Sequence, residues 1–368
     1  MLTRRQFIAS AVVTGMGVVG ASAYYVRSGT AEYERAVANT WRYGNVGSDG
    51  DSGIGRELVR YATLAPSSHN TQCWRFGLGK RSVSIFPDYQ RRCPIVDPDD
   101  HHLFVSLGCA AENLLQAAAA KGYHGDLDFV GGDHESLDIS LTRTKSARSE
   151  LFEAIPRRQS ARSEYDGQPL SNDELRLLEA AGTGQGVRVF LLTQKQAMEK
   201  VLDFVVQGNT AQIRDPAFVS ELKHWIRFNG RDAVRTGDGL YAGTTGNPAA
   251  PAWLGRLMFD VFFTENAEND KYARHIRSSA GIAVFVSESD DKTHWVEAGR
   301  AFQRFALQAT LLGVRTAHLN QPVEVAAYRP EFARAIGITQ GRPDLVVRFG
   351  RGPEMPRSLR RPIESVLL

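Results

Sequence analysis

Apolar and polar positions along this 368-residue chain switch repeatedly between helical and strand periods. Tyr33, Val37 and Trp41 recur at i, i+4 and i+8 and predict a short helix over 30–44. A Gly/Ser/Asp-rich linker follows, then a helix over 55–64 and strands at 74–78 and 82–86. Residues 101–121 are apolar on almost every side, as Leu103-Phe104-Val105, Leu114-Leu115 and Ala117 to Ala120 show. A helix of that kind is buried. Strand-like runs at 126–130 and 137–142 come next. Near residue 147 the pattern restarts with a helix over 148–155. Ser171-Asn172-Asp173-Glu174 reads as a capping box opening a helix over 172–181. A strand at 187–192 and a helix over 196–207, ending around Gly208-Asn209, come after it. Residues 212–265 read as interrupted helix around a Gly/Pro/Thr-rich loop from Gly237 to Pro251. Gly281 to Ser287 is a buried strand, 293–312 a helix rich in small residues, and Val314 to Leu319 and Leu345 to Phe349 complete the strands.

The two small-residue helices resemble each other. Leu107-Gly108-Cys109-Ala110-Ala111 stands beside Ala298-Gly299-Arg300-Ala301-Phe302, and Lys121-Gly122-Tyr123 beside Leu312-Gly313-Val314. The offset, roughly 190 residues, is far longer than a solenoid repeat and suggests two halves fused in one chain. The expected fold class is α+β, a mostly antiparallel sheet with surrounding helices, internally duplicated as a pseudo-dimer. The expected divisions are 1–26, 27–54 with a short helix, a first half over 55–146 and a second over 147–368. The second half would carry a lid insertion at about 212–265.

With 42% apolar residues the chain can bury a large core, and a net charge of +3 gives no basic face for nucleic acid. Cys73, Cys93 and Cys109 lack C-x-x-C spacing and read as buried thiols. At the N-terminus, Arg4-Arg5 precede Phe7 and a mildly apolar run from Ile8 to Val26, with Ala21-Ser22-Ala23 as a small-residue cleavage site. That arrangement resembles a twin-arginine export signal. It predicts export by the twin-arginine machinery to the periplasm or another extracytoplasmic space, with cleavage or retention as a membrane anchor both open.

Two loops carry the chemistry. Pro66-Ser67-Ser68-His69-Asn70-Thr71-Gln72-Cys73-Trp74 gathers hydroxyls and amides in a tight turn suited to wrapping a polar ligand. Arg157-Arg158-Gln159-Ser160-Ala161-Arg162 offers guanidinium forks and a hydroxyl, the donors that hold a phosphate. Taken in this order, with the two small-residue helices and the Leu319-Asn320-Gln321-Pro322 turn, they resemble the half-sites of the FMN-binding nitroreductase family, most closely its Acg-like branch with fused halves. Cys73 stands where the family has Pro, which leaves local redox sensitivity open.

The resemblance implies one FMN per chain, because each half keeps only one of the two loops. It assigns Arg158, Ser160 and Arg157 to the phosphate. Arg162 would lie beside the flavin pyrimidine, where a cation favours the reduced ring. Ser67, Ser68, Asn70 and Gln72 would close from the other half. Asn209 would meet the ring's polar edge, Asn320 and Gln321 would lie over a face, and Arg361 in the tail would return to the phosphate. No protein side chain is expected to act as catalyst, since the flavin carries the chemistry. The implied activity is two-electron transfer through FMN to a nitroaromatic, quinone or similar small aromatic acceptor. An FMN-sequestering protein with a lid-blocked site, or an electron-transfer partner without NAD(P)H turnover, remains open.

Asp97-Pro98-Asp99-Asp100-His101-His102 has metal-ligand residue types. Adjacent helical histidines point about 100° apart, and aspartates at a helix start serve as caps, so no metal site is expected. His69 is expected to be exposed.

Overall fold

The computed structural model describes residues 26–43, 50–132 and 134–368. The export segment lies outside them apart from its last residue, as does the linker stretch 44–49. The first half opens with α1 (residues 26–40), which begins and ends earlier than expected, and α2 (Gly50–Ala62). Hairpin β1 (Trp74–Leu78) and β2 (Ser82–Pro87) follows, then α3 (His101–Ala120), β3 (Tyr123–Val130) and β4 (Ser136–Arg143). The four strands form an antiparallel sheet in the order β1-β2-β4-β3.

The second half runs through α4 (Glu150–Ala154), α5 (Asn172–Gly182) and β5 (Val187–Leu192) to α6 (Lys195–Arg214). Ser171 and Glu174 close the expected capping box at the start of α5. An insertion then holds α7 (Pro216–Trp225), β6 (Ile226–Arg227), α8 (Gly230–Thr236), β7 (Leu240–Tyr241) and α9 (Ala252–Phe262). The chain returns through α10 (Glu265–Arg277), β8 (Gly281–Ser287), α11 (Lys292–Leu311) and β9 (Arg315–His318). It finishes with α12 (Gln321–Glu324), α13 (Arg329–Ala335) and β10 (Arg342–Gly350). The second sheet is antiparallel in the order β5-β8-β10-β9. Replacing β1, β2, β3 and β4 by β5, β8, β9 and β10 converts one strand order into the other. α3 and α11 occupy equivalent places, each leading from the second strand of its sheet to the third.

The two halves meet where α3 crosses α11. A Cβ at Gly108 would collide with the Val296 carbonyl, and one at Gly299 with the Val105 carbonyl. One spacing relates Gly108 to Gly299 and Val105 to Val296, so the crossing is reciprocal. Bare glycine lets the backbones touch, and a single core extends from one sheet through both helices to the other. A second core lies between the outer face of the β5-β8-β10-β9 sheet and α6, α12 and α13.

The end of α6 also differs from expectation. α6 does not stop at Gly208-Asn209 but continues to Arg214. Gly208 is there for clearance, because a Cβ would press on the Gln321 backbone. α3 is long and apolar enough to cross a membrane, yet most of it is buried inside the protein.

Candidate functional site

A cavity of ≈ 560 Å³ opens between the halves, and a recess of ≈ 40 Å³ adjoins it. Pro66, Ser67, Arg162 and Leu240 line both, so the two spaces share a wall. The cavity floor is His102, Ser106 and Cys109 of α3 with Phe302 of α11. The insertion roofs it with Phe228, Leu240, Met258, Phe259 and Phe262.

The Pro-Ser-Ser loop is held in a rare backbone shape. His69, Asn70 and Gln72 all have positive φ, between 47° and 56°. Asp100, beside the His101-His102 pair, is the other non-glycine residue of that kind among the described residues. Strain of this sort persists only where neighbours enforce it. Here the Asn70 amide donates to the Gly239 carbonyl at 3.0 Å and the Leu359 carbonyl at 3.2 Å. The Gln72 amide donates to the Gly237 carbonyl at 2.9 Å, and the Ser67 hydroxyl accepts from the Gln72 N–H at 2.9 Å. The loop is thereby tied to the segment around Gly237–Gly239 and to the C-terminal tail.

The arginine loop lies along the edge of β9, with Ala161 N–H donating to the Thr316 carbonyl at 3.0 Å. Arg348, buried in β10, clamps it by donating to the Ser163 carbonyl at 2.8 Å. Gln159 exchanges hydrogen bonds with the backbone of Met355, bringing the tail beside the loop.

Four guanidinium-bearing residues, Arg158, Arg162, Arg357 and Arg360, line the recess with Ser160, Ser67 and Asn70, and no carboxylate lines it among the described residues. Arg158 is 3% exposed; it donates to Ser160 at 3.3 Å, and its Nε has no partner. Burial, reinforced by Arg357 and Arg162, pushes its pKa down to about 10. Burial and Arg158 push Arg360 down to about 9. Buried cations without a counter-ion are costly, and the recess presents donors with nothing negative among them.

Of the residues expected at the site, Ser67, Ser68, Arg162, Asn209, Asn320 and Gln321 line the cavity, and Ser67, Asn70, Arg158, Ser160 and Arg162 the recess. Three lie elsewhere. Gln72 is fully buried and spends its amide on Gly237 and on the Arg361 N–H. Arg157 ends a single 3₁₀ turn and faces solvent. Arg361 turns away to Gln72, Ser365 and Asp88. Its neighbour Arg360 lines the recess instead, since successive residues of an extended segment point opposite ways. Asn70 lines the recess, but its side chain is committed to the protein, its carbonyl accepting from Arg360 at 3.0 Å.

Other cavity residues were not expected there. His69 is half-buried in the cavity wall, 3.7 Å from Cys93, rather than exposed, and burial lowers its pKa to about 4. Burial, with Arg162 adding, lowers His318 to about 3. For His102, burial alone would lower the pKa, but Asp97 outweighs it and raises the value. His101 and His102 do converge with Asp97, contrary to the angular argument. Asp97 is occupied in capping α3, accepting from the N–H groups of His102 and Leu103 at 3.0 and 2.9 Å. Burial pushes Cys73 up to about 12, so its thiol stays protonated and poorly reactive.

The site is thus an interior cavity with one basic, phosphate-sized end and one apolar, aromatic end, built from both halves of an α+β chain. Residues 155–351, more than half of the chain, match the Nitroreductase family. The chain belongs to that family and is an oxidoreductase. It is 26% identical to the Mycobacterium tuberculosis protein named "Putative NAD(P)H nitroreductase Rv3131", across 85% of this chain and 90% of the relative. It is 24% identical to "Putative NAD(P)H nitroreductase acg" of the same organism, across 84% and 94%. Among solved structures, the FMN-dependent nitroreductase NfnB from Mycobacterium smegmatis in complex with NADPH is 11% identical, with 59% of this chain and 96% of that chain covered and a TM-score of 0.39.

Proposed function

We propose that the chain is an FMN-dependent oxidoreductase that passes two electrons to a nitroaromatic or quinone-like acceptor, with one FMN per chain. The observation that carries this reading is the meeting of the Pro-Ser-Ser loop and the arginine loop, from opposite halves, around a cavity and its adjoining recess. The residues fit the cofactor. The unpartnered Arg158 Nε and the carboxylate-free recess suit a dianionic phosphate. The unpartnered Oε1 of Gln321 suits a polar ring edge. Arg158 and Ser160 would hold the phosphate, with Arg357, which donates to the Pro156 and Arg157 carbonyls, adding positive charge, while Ser67 and Arg162 line both recess and cavity. When bound, FMN supplies a ring that accepts hydride and passes on electron pairs. The protein's part is to orient that ring and to screen it from water with the aromatic roof.

A single site is supported by the helix crossing. At the spacing that relates Gly108 to Gly299, Ser106 and Cys109 correspond to Glu297 and Arg300. Those two pair with each other at 2.7 Å, and Arg300 and Arg304 both reach Glu112, at 3.3 and 3.1 Å. Ion pairs fill the place where a second cavity floor would be.

The relatives' names suggest NAD(P)H as donor. The insertion roof favours a second reading, in which the flavin is sequestered and nicotinamide cannot reach it. Anaerobic mixing of the flavin-loaded protein with NADPH separates them. The oxidoreductase bleaches its 450 nm band within seconds (order of magnitude for ordinary turnover), and a sequestering protein stays yellow. Export through the twin-arginine route remains part of the proposal. It is tested by fractionating cells that express the whole chain or an Arg4→Lys, Arg5→Lys variant.

A further inference from the structure

The roof helix α9 has two apolar faces. Gly255, Met258, Phe259 and Phe262 line the cavity. Trp253, Leu257 and Val261, at i, i+4 and i+8, point outward and are 66%, 55% and 57% exposed, while Phe262, on the cavity-facing side at the helix end, is 65% exposed. No other element among the described residues exposes a comparable group of large apolar side chains. A contiguous patch of this kind marks a contact surface. Its composition, Trp, Leu and Val on one stripe with the exposed Arg256 and Asp260 along its edge, suits a helix lying in the lipid headgroup boundary.

A second observation points to the same occupant. The apolar run Ile8 to Val26 leads directly into α1. α1 rests on the insertion: the Gly29 backbone abuts Gly230 in α8, and Tyr33 packs on Tyr241 with ring centroids 4.2 Å apart. Phe228, just before α8, in turn covers Gly255 of α9. The apolar leading segment and the exposed stripe are therefore attached to one structural unit. A bilayer accepts both, whereas a second copy would explain the stripe alone.

We propose that α9 docks on a lipid bilayer, with Trp253, Leu257 and Val261 entering the headgroup–acyl boundary. The experiment uses the whole chain with vesicles of phosphatidylcholine and phosphatidylglycerol, made with and without bromine-labelled acyl chains, and reads tryptophan emission. Trp74, Trp225 and Trp295 are buried and Trp41 is half-buried beneath Arg357 and Arg360, so Trp253 is the most exposed of the five tryptophans. The expected result is bromine quenching in the vesicle-bound protein that Trp253→Phe removes. Leu257→Glu with Val261→Glu should reduce it at least about fivefold, whether or not residues 8–26 hold the protein on the vesicle. Bound protein whose emission ignores bromine overturns the proposal, as does protein that stays off vesicles. A lipid-free dimer that the double substitution dissolves overturns it too, because the stripe then belongs to a second copy. The readout uses neither flavin nor turnover, so its failure leaves the oxidoreductase reading standing.

Discussion

Arg158→Met separates the stability of the recess from its purpose. Arg158 is buried with its pKa pushed down to about 10 from 12.5. A cation whose folded pKa is lowered destabilises the fold at every pH below that value, and the cost fades as pH rises through about 10 towards 12.5. At pH 7 it is fully present. A displacement of about two and a half units corresponds to about 3 kcal/mol. Methionine keeps an apolar stem of similar length and removes the charge, so the flavin-free variant should melt a few degrees higher than the flavin-free parent. The same change deletes a charge-assisted bond worth about 1.5–3 kcal/mol to a phosphate, so FMN should bind about 10- to 150-fold more weakly. The assays are thermal unfolding of both flavin-free proteins at pH 7 and fluorescence titration with FMN. A variant that melts lower and binds FMN as tightly as the parent would refute the argument, because Arg158 would then be a structural residue with a partner.

The remaining predictions are simpler. Gly299→Ala should destabilise by about 2–4 kcal/mol despite alanine's better helix propensity, since the α3 backbone must move away from α11; chemical denaturation measures it, and an unchanged midpoint would show that the crossing is looser than described. Burial lowers both His275 and His318 to about 3. Between about 6.5 and 3 the unfolded chain therefore binds protons that the folded flavin-free protein refuses, and stability is lost on acidification through that window. At pH 5.5 each histidine should cost about 1.4 kcal/mol relative to neutral pH, and His318→Gln should remove its share. Ser171→Ala should cost about 1 kcal/mol through the lost capping box, with FMN binding unaffected, as unfolding and titration in parallel would show.

Most elements were legible because their patterns are local. β1, β2, α3, α5, β5, β8 and α11 follow from periodicity and capping within a dozen residues. Boundaries failed where glycine or polar residues answer to a distant neighbour. Gly208 reads as a helix stop but provides clearance for Gln321. α10 is so polar that periodicity did not isolate it; its N-cap, Thr264, accepts from Ala267 at 3.3 Å. At the site, the two loops were readable as chemistry, whereas the choice between Arg360 and Arg361 depends on which way an irregular tail faces. His318 and Arg357 gave no signal, and His69 and His102 were read as exposed and as part of a capping run, because what brings all four to the cavity is the packing of one half on the other. The His101-His102 pair shows the limit of ideal helical angles at a first turn, where Asp100 enters at positive φ.

Because both walls of the cavity belong to one polypeptide, dilution cannot pull them apart. A pocket shared between separate subunits is only as complete as the subunit concentration allows. Here the contact between α3 and α11 is intramolecular, and its effective concentration is fixed by the chain itself. The protein can therefore keep an assembled pocket at copy numbers where a two-chain counterpart would fall into halves.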